Sequence, residues 1–304
     1  MKMLKTTDVL GDFEAVHYGD RKRRSVVGKI IIYLVLSFWA LSTIYPFVWV
    51  IINSFKQRGL ISSDGFSLPL GDAFTLDNYK LAWERVDLLS AYKNSIIIST
   101  CVVLVVIVLA GFAGYALARY NFFGKKFVHG LVVASMMFPV FSTIIPVFKM
   151  MFSWGIVSTG ELIPSMISVI LPQIAGNLSF SIIVLMGFIK SIPLELEEAA
   201  YLEGCNPFQI FFKIIIPLSM PSFATVAIFT FLWSYNDLFT QMFFLRYRTT
   251  FTITRLLNEI SSIAGTNYGL LCAAVVIVVV PVLIVYVIMQ KYIIKGLTAG
   301  AIKG

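Results

Sequence analysis

The run Cys101-Val-Val-Leu-Val-Val-Ile-Val-Leu-Ala110 is apolar on every side. A helix with no polar face must be enclosed by protein or by lipid. The run lies within an apolar stretch over 94–118, and comparable stretches recur at 29–52, 128–152, 161–188, 217–242 and 268–292. Each is close to the length of about 20 residues with which a helix crosses a hydrocarbon core of about 30 Å. Barrel strands would alternate apolar and polar residues over segments of about ten, and these stretches do not. With 58% hydrophobic and 13% charged residues among 304, a soluble globule could not enclose so much apolar surface. The pattern predicts an all-α polytopic membrane protein with six transmembrane helices.

The charges orient it. Lysines and arginines gather in the N-terminal tail (Lys2, Lys5, Arg21, Lys22, Arg23, Arg24, Lys29), in the second connection (Arg119, Lys125, Lys126) and at the C-terminus (Lys291, Lys295, Lys303). Positive charge marks the cytoplasmic side, so six spans put both termini in the cytoplasm. The first connection balances its charges, as an exported loop can. Residues 243–267, with Arg246, Arg248 and Arg255 against Glu259, fall outside in this topology and run against the rule. The net charge of +8 is accounted for by orientation and lipid headgroups, not by nucleic acid. The first apolar stretch follows a long polar tail without a cleavage pattern, so it reads as a retained span.

Chemistry has little foothold. Gly28-Lys29 and Gly124-Lys125 lack the upstream glycine and following hydroxyl of a phosphate-binding loop. His17 and His129 have no partner spacing for a metal, and Cys101, Cys205 and Cys272 form neither a disulfide framework nor a ligand set. The predicted spans are nearly free of charge except for Lys149 and Asp237, which disfavours proton or sodium coupling. Asp237 beside Trp233, Tyr235 and Asn236, together with Asn177 on the fourth span, makes a possible solute pathway. The carboxylate would bond a hydroxyl and the aromatic faces would cover a sugar ring. The alternative is a polar helix end packed on a partner.

The polar connection Ser191-Ile-Pro-Leu-Glu-Leu-Glu-Glu-Ala-Ala-Tyr-Leu-Glu-Gly204 reads as a short helix. Ser191 is its expected cap, and Glu195, Glu197 and Glu198 favour its positive end. Gly204 stops it. Asn206-Pro207 then starts a second helix, with Phe208, Phe211, Phe212 and Ile215 on one stripe up to Pro217. On the first helix Ile192, Leu196, Ala199 and Ala200 are expected to pack, beside an acidic face of Glu195 and Glu198. By amphipathicity alone this unit is a docking element or an interfacial hairpin.

Glu198-Ala199-Ala200, three residues, Gly204 and then Ile216-Pro217 resemble the cytoplasmic coupling motif of ABC importer permeases, and the longer Ile-Pro-x-Glu-Leu-Glu-Glu-Ala-Ala-x-x-x-Gly form is similar to the carbohydrate-uptake branch. Asn53-Ser54-Phe55-Lys56, Asn78-Tyr79, Ala113-Gly114-Tyr115-Ala116 and the end Gly296-Leu297-Thr298-Ala299-Gly300-Ala301-Ile302-Lys303-Gly304 resemble the smaller, maltose-type permease in order. Glu203, Cys205 and Ser234-Tyr235-Asn236-Asp237 depart from it. The resemblance implies a type I ABC importer permease fold, with a cytoplasmic tail over 1–28 and a transmembrane domain over 29–304. That domain includes an exported loop 56–93, a coupling hairpin 191–216 and a C-terminal tail 293–304. It implies that Glu195, Glu198, Ala199, Ala200, Gly204 and Pro217 serve ATPase coupling, and that Thr298, Gly300 and Lys303 form an extended second contact. The implied partners are a second homologous permease, two nucleotide-binding subunits that hold ATP and Mg, and an extracytoplasmic solute-binding protein. The implied cargo is a di- or oligosaccharide. An ABC permease for glycerol phosphate, and an ATP-independent channel or scaffold, are the competing expectations.

Overall fold

The structure is a computed structural model that describes residues 26–85, 87–157, 160–265 and 267–301. Thirteen helices are named here: α1 (Val26–Ser54), α2 (Leu60–Ser63), α3 (Asp77–Arg85), α4 (Leu88–Arg119), α5 (Lys125–Ser135), α6 (Val140–Ser153), α7 (Leu162–Ile189), α8 (Glu195–Leu202), α9 (Pro207–Ile210), α10 (Ile216–Asn236), α11 (Leu238–Phe244), α12 (Ile253–Ala264) and α13 (Tyr268–Ala301). The described residues hold no strand beyond an isolated bridge between Lys56 and Phe74. Among them, four helical stretches are long and apolar enough to cross a membrane: Gly28–Ser54, Leu88–Arg119, Leu162–Ile189 and Pro207–Asn236. Phe141–Ser153 within α6 and Tyr268–Ile284 within α13 are shorter apolar stretches.

The chain divides into two units, 1–51 and 52–304. In the first, α1 shows Ile31, Leu34, Phe38, Trp39 and Leu41 on its surface. In the second, α4 and α7 form the most extensive helix pair, and α10 packs on both. Along α4 the buried positions include Ala91, Ser95, Ile98, Val102, Val106, Ala110 and Gly114, one stripe at helical spacing, while Leu104, Val108 and Leu109 face outward. The stripe is built of small and β-branched residues, as helix contacts in lipid require, because close approach and not water exclusion drives them there. At its end a β-carbon on Gly114 would meet the Met186 nitrogen at 3.2 Å and the Leu185 β-carbon at 3.3 Å.

Residues 52–85 fold on themselves. Asn78 Nδ2 donates to the carbonyls of Ser54 and Lys56 at 2.9 and 2.8 Å, satisfying acceptors at the end of α1. The buried Lys56 ammonium donates to the Asp64 carbonyl at 2.8 Å. The two sequence pieces 53–56 and 78–79 are thus one contact.

Several expectations are corrected. The predicted third span, 128–152, is two helices, because Pro139 has no N–H and pushes the preceding residue out of the helical region, so α5 ends and α6 begins anew at a break over Met136–Pro139. The fifth ends at Asn236 and not at 242, since Asp237 turns its side chain onto the Thr240 N–H at 3.0 Å and caps α11 instead. The tail expected to be extended continues α13 to Ala301. Thr298 and Gly300 therefore lie on helical backbone, and Lys303 lies outside the described residues.

Gly114→Leu is expected to separate α4 from α7 and lower the melting temperature of the detergent-purified protein by several degrees, the effect of overpacking by about 1–3 kcal/mol. An unchanged melting temperature would place the α4–α7 contact elsewhere.

Candidate functional sites: a docking hairpin and a cavity at two helix breaks

The hairpin is built from α8, a left-handed turn and α9. Gly204 has φ +81°, which L side chains rarely adopt, and the Cys205 N–H closes the turn on the Ala200 carbonyl at 2.9 Å. Asn206 and Gln209 then form a reciprocal capping box at 2.9 and 2.8 Å, with Pro207 at the first helical position. A π-helical turn over Phe211–Ile215 joins α9 to α10, and Pro217 stands in the first turn of α10.

What locks the hairpin in place is Glu197. Only 3% exposed, it accepts the Arg119 Nε–H at 2.5 Å and the Tyr115 hydroxyl at 3.0 Å. Arg119 donates further to the Ile192 carbonyl at 2.7 Å. Two groups at the end of α4 thus clamp both the entry of the hairpin and its first helix. Tyr201 and Tyr120 pair their hydroxyls at 3.2 Å. That bond, with some burial and the nearby Glu197 charge, raises the Tyr201 phenol to about 12, so it stays protonated at neutral pH. Phe112 packs among Phe208, Phe211 and Phe212, stacking on Phe211 at 4.7 Å.

Glu195, Glu198 and Ala199 are exposed, and Ala200 is buried. The packing stripe expected at Ile192, Leu196, Ala199 and Ala200 is instead Ile192, Glu197 and Ala200, with Leu196 turned outward, because the Arg119 guanidinium draws the middle acid inward. Ser191 does not cap α8; its hydroxyl donates to the Phe188 carbonyl at 2.7 Å, and α8 begins at Glu195. Of the expected phenylalanine stripe, Phe211 and Ile215 are buried whereas Phe208 and Phe212 are exposed; the π turn changes the phase between them.

A cavity of about 500 Å³ lies where the two helix breaks meet. Pro139 and Phe141 border it from one break, Asp237 and Phe239 from the other, and Gln173 and Asn177 from the middle of α7. Gln173 is eleven residues into α7, about 17 Å along the helix at 1.5 Å per residue. It donates to Asp237 Oδ2 at 2.9 Å and accepts from the Ser234 hydroxyl at 2.6 Å. The Ser234 backbone carbonyl accepts from Gln241 Nε2 at 3.0 Å and from Gln173 Nε2 at 3.4 Å. Asn177 donates to the Gln173 carbonyl at 2.8 Å, while its own Oδ1 is buried with no hydrogen-bond partner. Trp233 stands at the cavity against Phe180, ring centroids 5.0 Å apart.

Of the predicted pathway residues, Asn177, Trp233 and Asp237 come together here. Tyr235 and Asn236 do not: Tyr235 is buried beside Phe231, and Asn236 donates to the Leu232 carbonyl of its own helix at 2.9 Å. Gln173, which holds Asp237, was visible in the sequence only as a polar residue in an apolar span. Among the described residues no group of His, Cys, Asp and Glu could hold a metal.

The profile of the family described as "Binding-protein-dependent transport system inner membrane component" matches residues 107–299. The chain belongs to that family. The match runs from α4 through α13 and includes both the hairpin and the cavity. This inner-membrane component is 32% identical to the diacetylchitobiose uptake system permease protein NgcG of Streptomyces coelicolor, over 88% of this chain and 87% of the relative. It is 31% identical to the trehalose transport system permease protein SugB of Mycobacterium tuberculosis, over 85% and 92%. It is also 31% identical to the melibiose/raffinose/stachyose import permease protein MelC of Bacillus subtilis, over 90% and 96%. In fold it matches a chain of a bacterial ABC transporter involved in the import of the acidic polysaccharide alginate, with a TM-score of 0.75, 23% identity, and coverage of 90% of this chain and 99% of that one.

Glu197→Leu alone leaves Arg119 buried without a counter-charge and is expected to destabilise the protein by about 3–5 kcal/mol, whereas the Arg119→Met/Glu197→Leu double variant recovers most of that loss. Thermal unfolding of the wild type, Glu197→Leu, Arg119→Met and the double variant in detergent reads the difference. Additive losses would mean that the pair is not a unit.

Proposed function

We propose that this chain is one of two membrane-spanning subunits of an ATP-driven importer of di- or oligosaccharides, with six crossings and both termini in the cytoplasm. The relatives named for uptake of diacetylchitobiose, trehalose and melibiose, raffinose and stachyose support the cargo class. The observation that carries the coupling role is the clamp on Glu197: it holds the hairpin rigidly to α4 and leaves Glu195, Glu198 and Ala199 exposed. A partner that grips this outer face moves α4 through the Arg119–Glu197 pair and α10 through the continuous helical turn.

In this reading the partner is a nucleotide-binding subunit. Glu198 supplies the charged contact, with Glu195 beside it. Ala199 permits close approach, Ala200 seats the helix, Gly204 makes the turn and Pro217 starts the span. ATP and Mg are held by two such subunits, and hydrolysis is theirs. Thr298, Gly300 and Lys303 offer a second contact. A homologous permease completes the pathway, and an extracytoplasmic binding protein delivers the sugar. Asn177, Trp233 and Asp237 face the pathway.

In liposomes that hold the complete transporter with its binding protein, Glu198→Arg and Gly204→Val are expected to assemble yet lose about tenfold or more of sugar-stimulated ATP hydrolysis, equivalent to about 1.4 kcal/mol of coupling. Normal stimulation in both would remove the hairpin from the coupling route.

A further inference from the structure

We propose that a second, apolar cavity, between the end of α4 and the hairpin, holds one acyl chain of a membrane phospholipid and so makes lipid part of the hairpin's seat. This requires only that α4 cross the membrane, for which it is long and apolar enough, and it does not depend on the cargo.

The cavity has a volume of about 300 Å³ and two walls. Phe112, Tyr115, Ala116 and Tyr120 at the end of α4 make one wall, and Phe208 of α9 with Phe211 of the π turn makes the other. Among the described residues no charged side chain lines it, so nothing there could hold an ion. The hydroxyls of Tyr115 and Tyr120 are engaged by Glu197 and Tyr201. Apolar cavities of this kind stay dry, and rings that face empty space forfeit their dispersion contacts. A hydrocarbon chain restores those contacts and asks for no hydrogen bond.

Position decides the occupant. Val105, Leu109, Phe112, Ala116 and Tyr120 share one face of α4, falling within about 80° of one another at 100° per residue. Val105, Leu109 and Phe112 are exposed, so the outward apolar face of the span runs without interruption into the cavity. Phe208 and Phe212, both exposed and both edge-on to Phe112, extend the same surface. Tyr120 marks the level of the water boundary: it follows the last residue of α4, bonds the exposed Tyr201, and is succeeded by Lys125 and Lys126. Aromatic and cationic residues of this kind sit at headgroup level. Phe112 lies eight residues earlier, about 12 Å deeper at 1.5 Å per residue. A soluble protein that grips Glu195 and Glu198 meets the hairpin from the water side, whereas this cavity is entered along the lipid-facing side of α4. Because its walls belong to both α4 and the hairpin, a chain inside it fills the seam between them.

The test places the complete transporter in nanodiscs of phosphatidylglycerol, a fraction of which carries a photoactivatable diazirine midway along one acyl chain. Peptide mass spectrometry after illumination is expected to find 112–120 and 207–211 labelled about tenfold more densely than Leu104, which is exposed on another face of α4, as a retained chain favoured tenfold over bulk lipid requires. Ala116→Leu fills the space and should remove that excess. Phe208→Trp narrows the cavity from the other wall and should do the same if Ala116→Leu assembles poorly. In delipidated detergent solution, added phosphatidylglycerol should raise the wild-type melting temperature saturably by a few degrees, and Ala116→Leu should lose that shift. Labelling of the cavity no denser than that of Leu104, labelling undiminished in both variants, or an equal melting shift in wild type and Ala116→Leu overturns the proposal. So does labelling of 112–120 that emerges only once the nucleotide-binding subunits are stripped away, the mark of a protein occupant.

Discussion

Everything in this molecule follows from a solvent that offers the backbone no hydrogen bonds. In hydrocarbon an unpaired N–H or C=O costs several kcal/mol, so a helix can stop there only where other protein groups or enclosed water replace what it loses. Both interior breaks obey this. At one, the turn over 136–139 satisfies its own N–H groups on Val133, Ala134 and Ser135. At the other, Asp237, Gln173, Ser234 and Gln241 share the duty among side chains. Polar groups are then present at the breaks for a structural reason, and a cavity beside them inherits their chemistry.

The same constraint separates the two ends of the bundle. Near the hairpin, charge is buried in a matched pair, Arg119 with Glu197, and supported by Tyr115. Around the cavity, a carboxylate is held by neutral donors and one amide oxygen is left free. A matched pair resists movement within itself and so transmits it. The family membership shown by the match over 107–299 accommodates both within one continuous helical frame.

How much of this was legible depended on whether a feature was local. Span positions could be read from length and apolarity, and the Asn206-Pro207 start and the Gly204 turn from their own residues. The breaks could not be ranked: Pro46, Pro146, Pro172, Pro221 and Pro281 all lie inside continuous helices while Pro139 begins one. What decides between kink and break is compensation by neighbours, which is tertiary. The inward turn of Glu197 depended on Arg119, 78 residues away. Tyr235 and Asn236 are adjacent to Trp233 in sequence, but successive helical residues point about 100° apart.

The phase of α10 is set by the π-helical turn over Phe211–Ile215. A π turn carries about one residue more than an α turn, so everything beyond it is rotated by about 100° relative to an unbroken helix. Removing a single residue there would leave the hairpin clamped to Arg119 yet swing Trp233 and Ser234 off the cavity wall. The alignment between the gripping face and the solute face is therefore a matter of residue count, and the chain carries it as a gear carries the offset between two sets of teeth on one shaft.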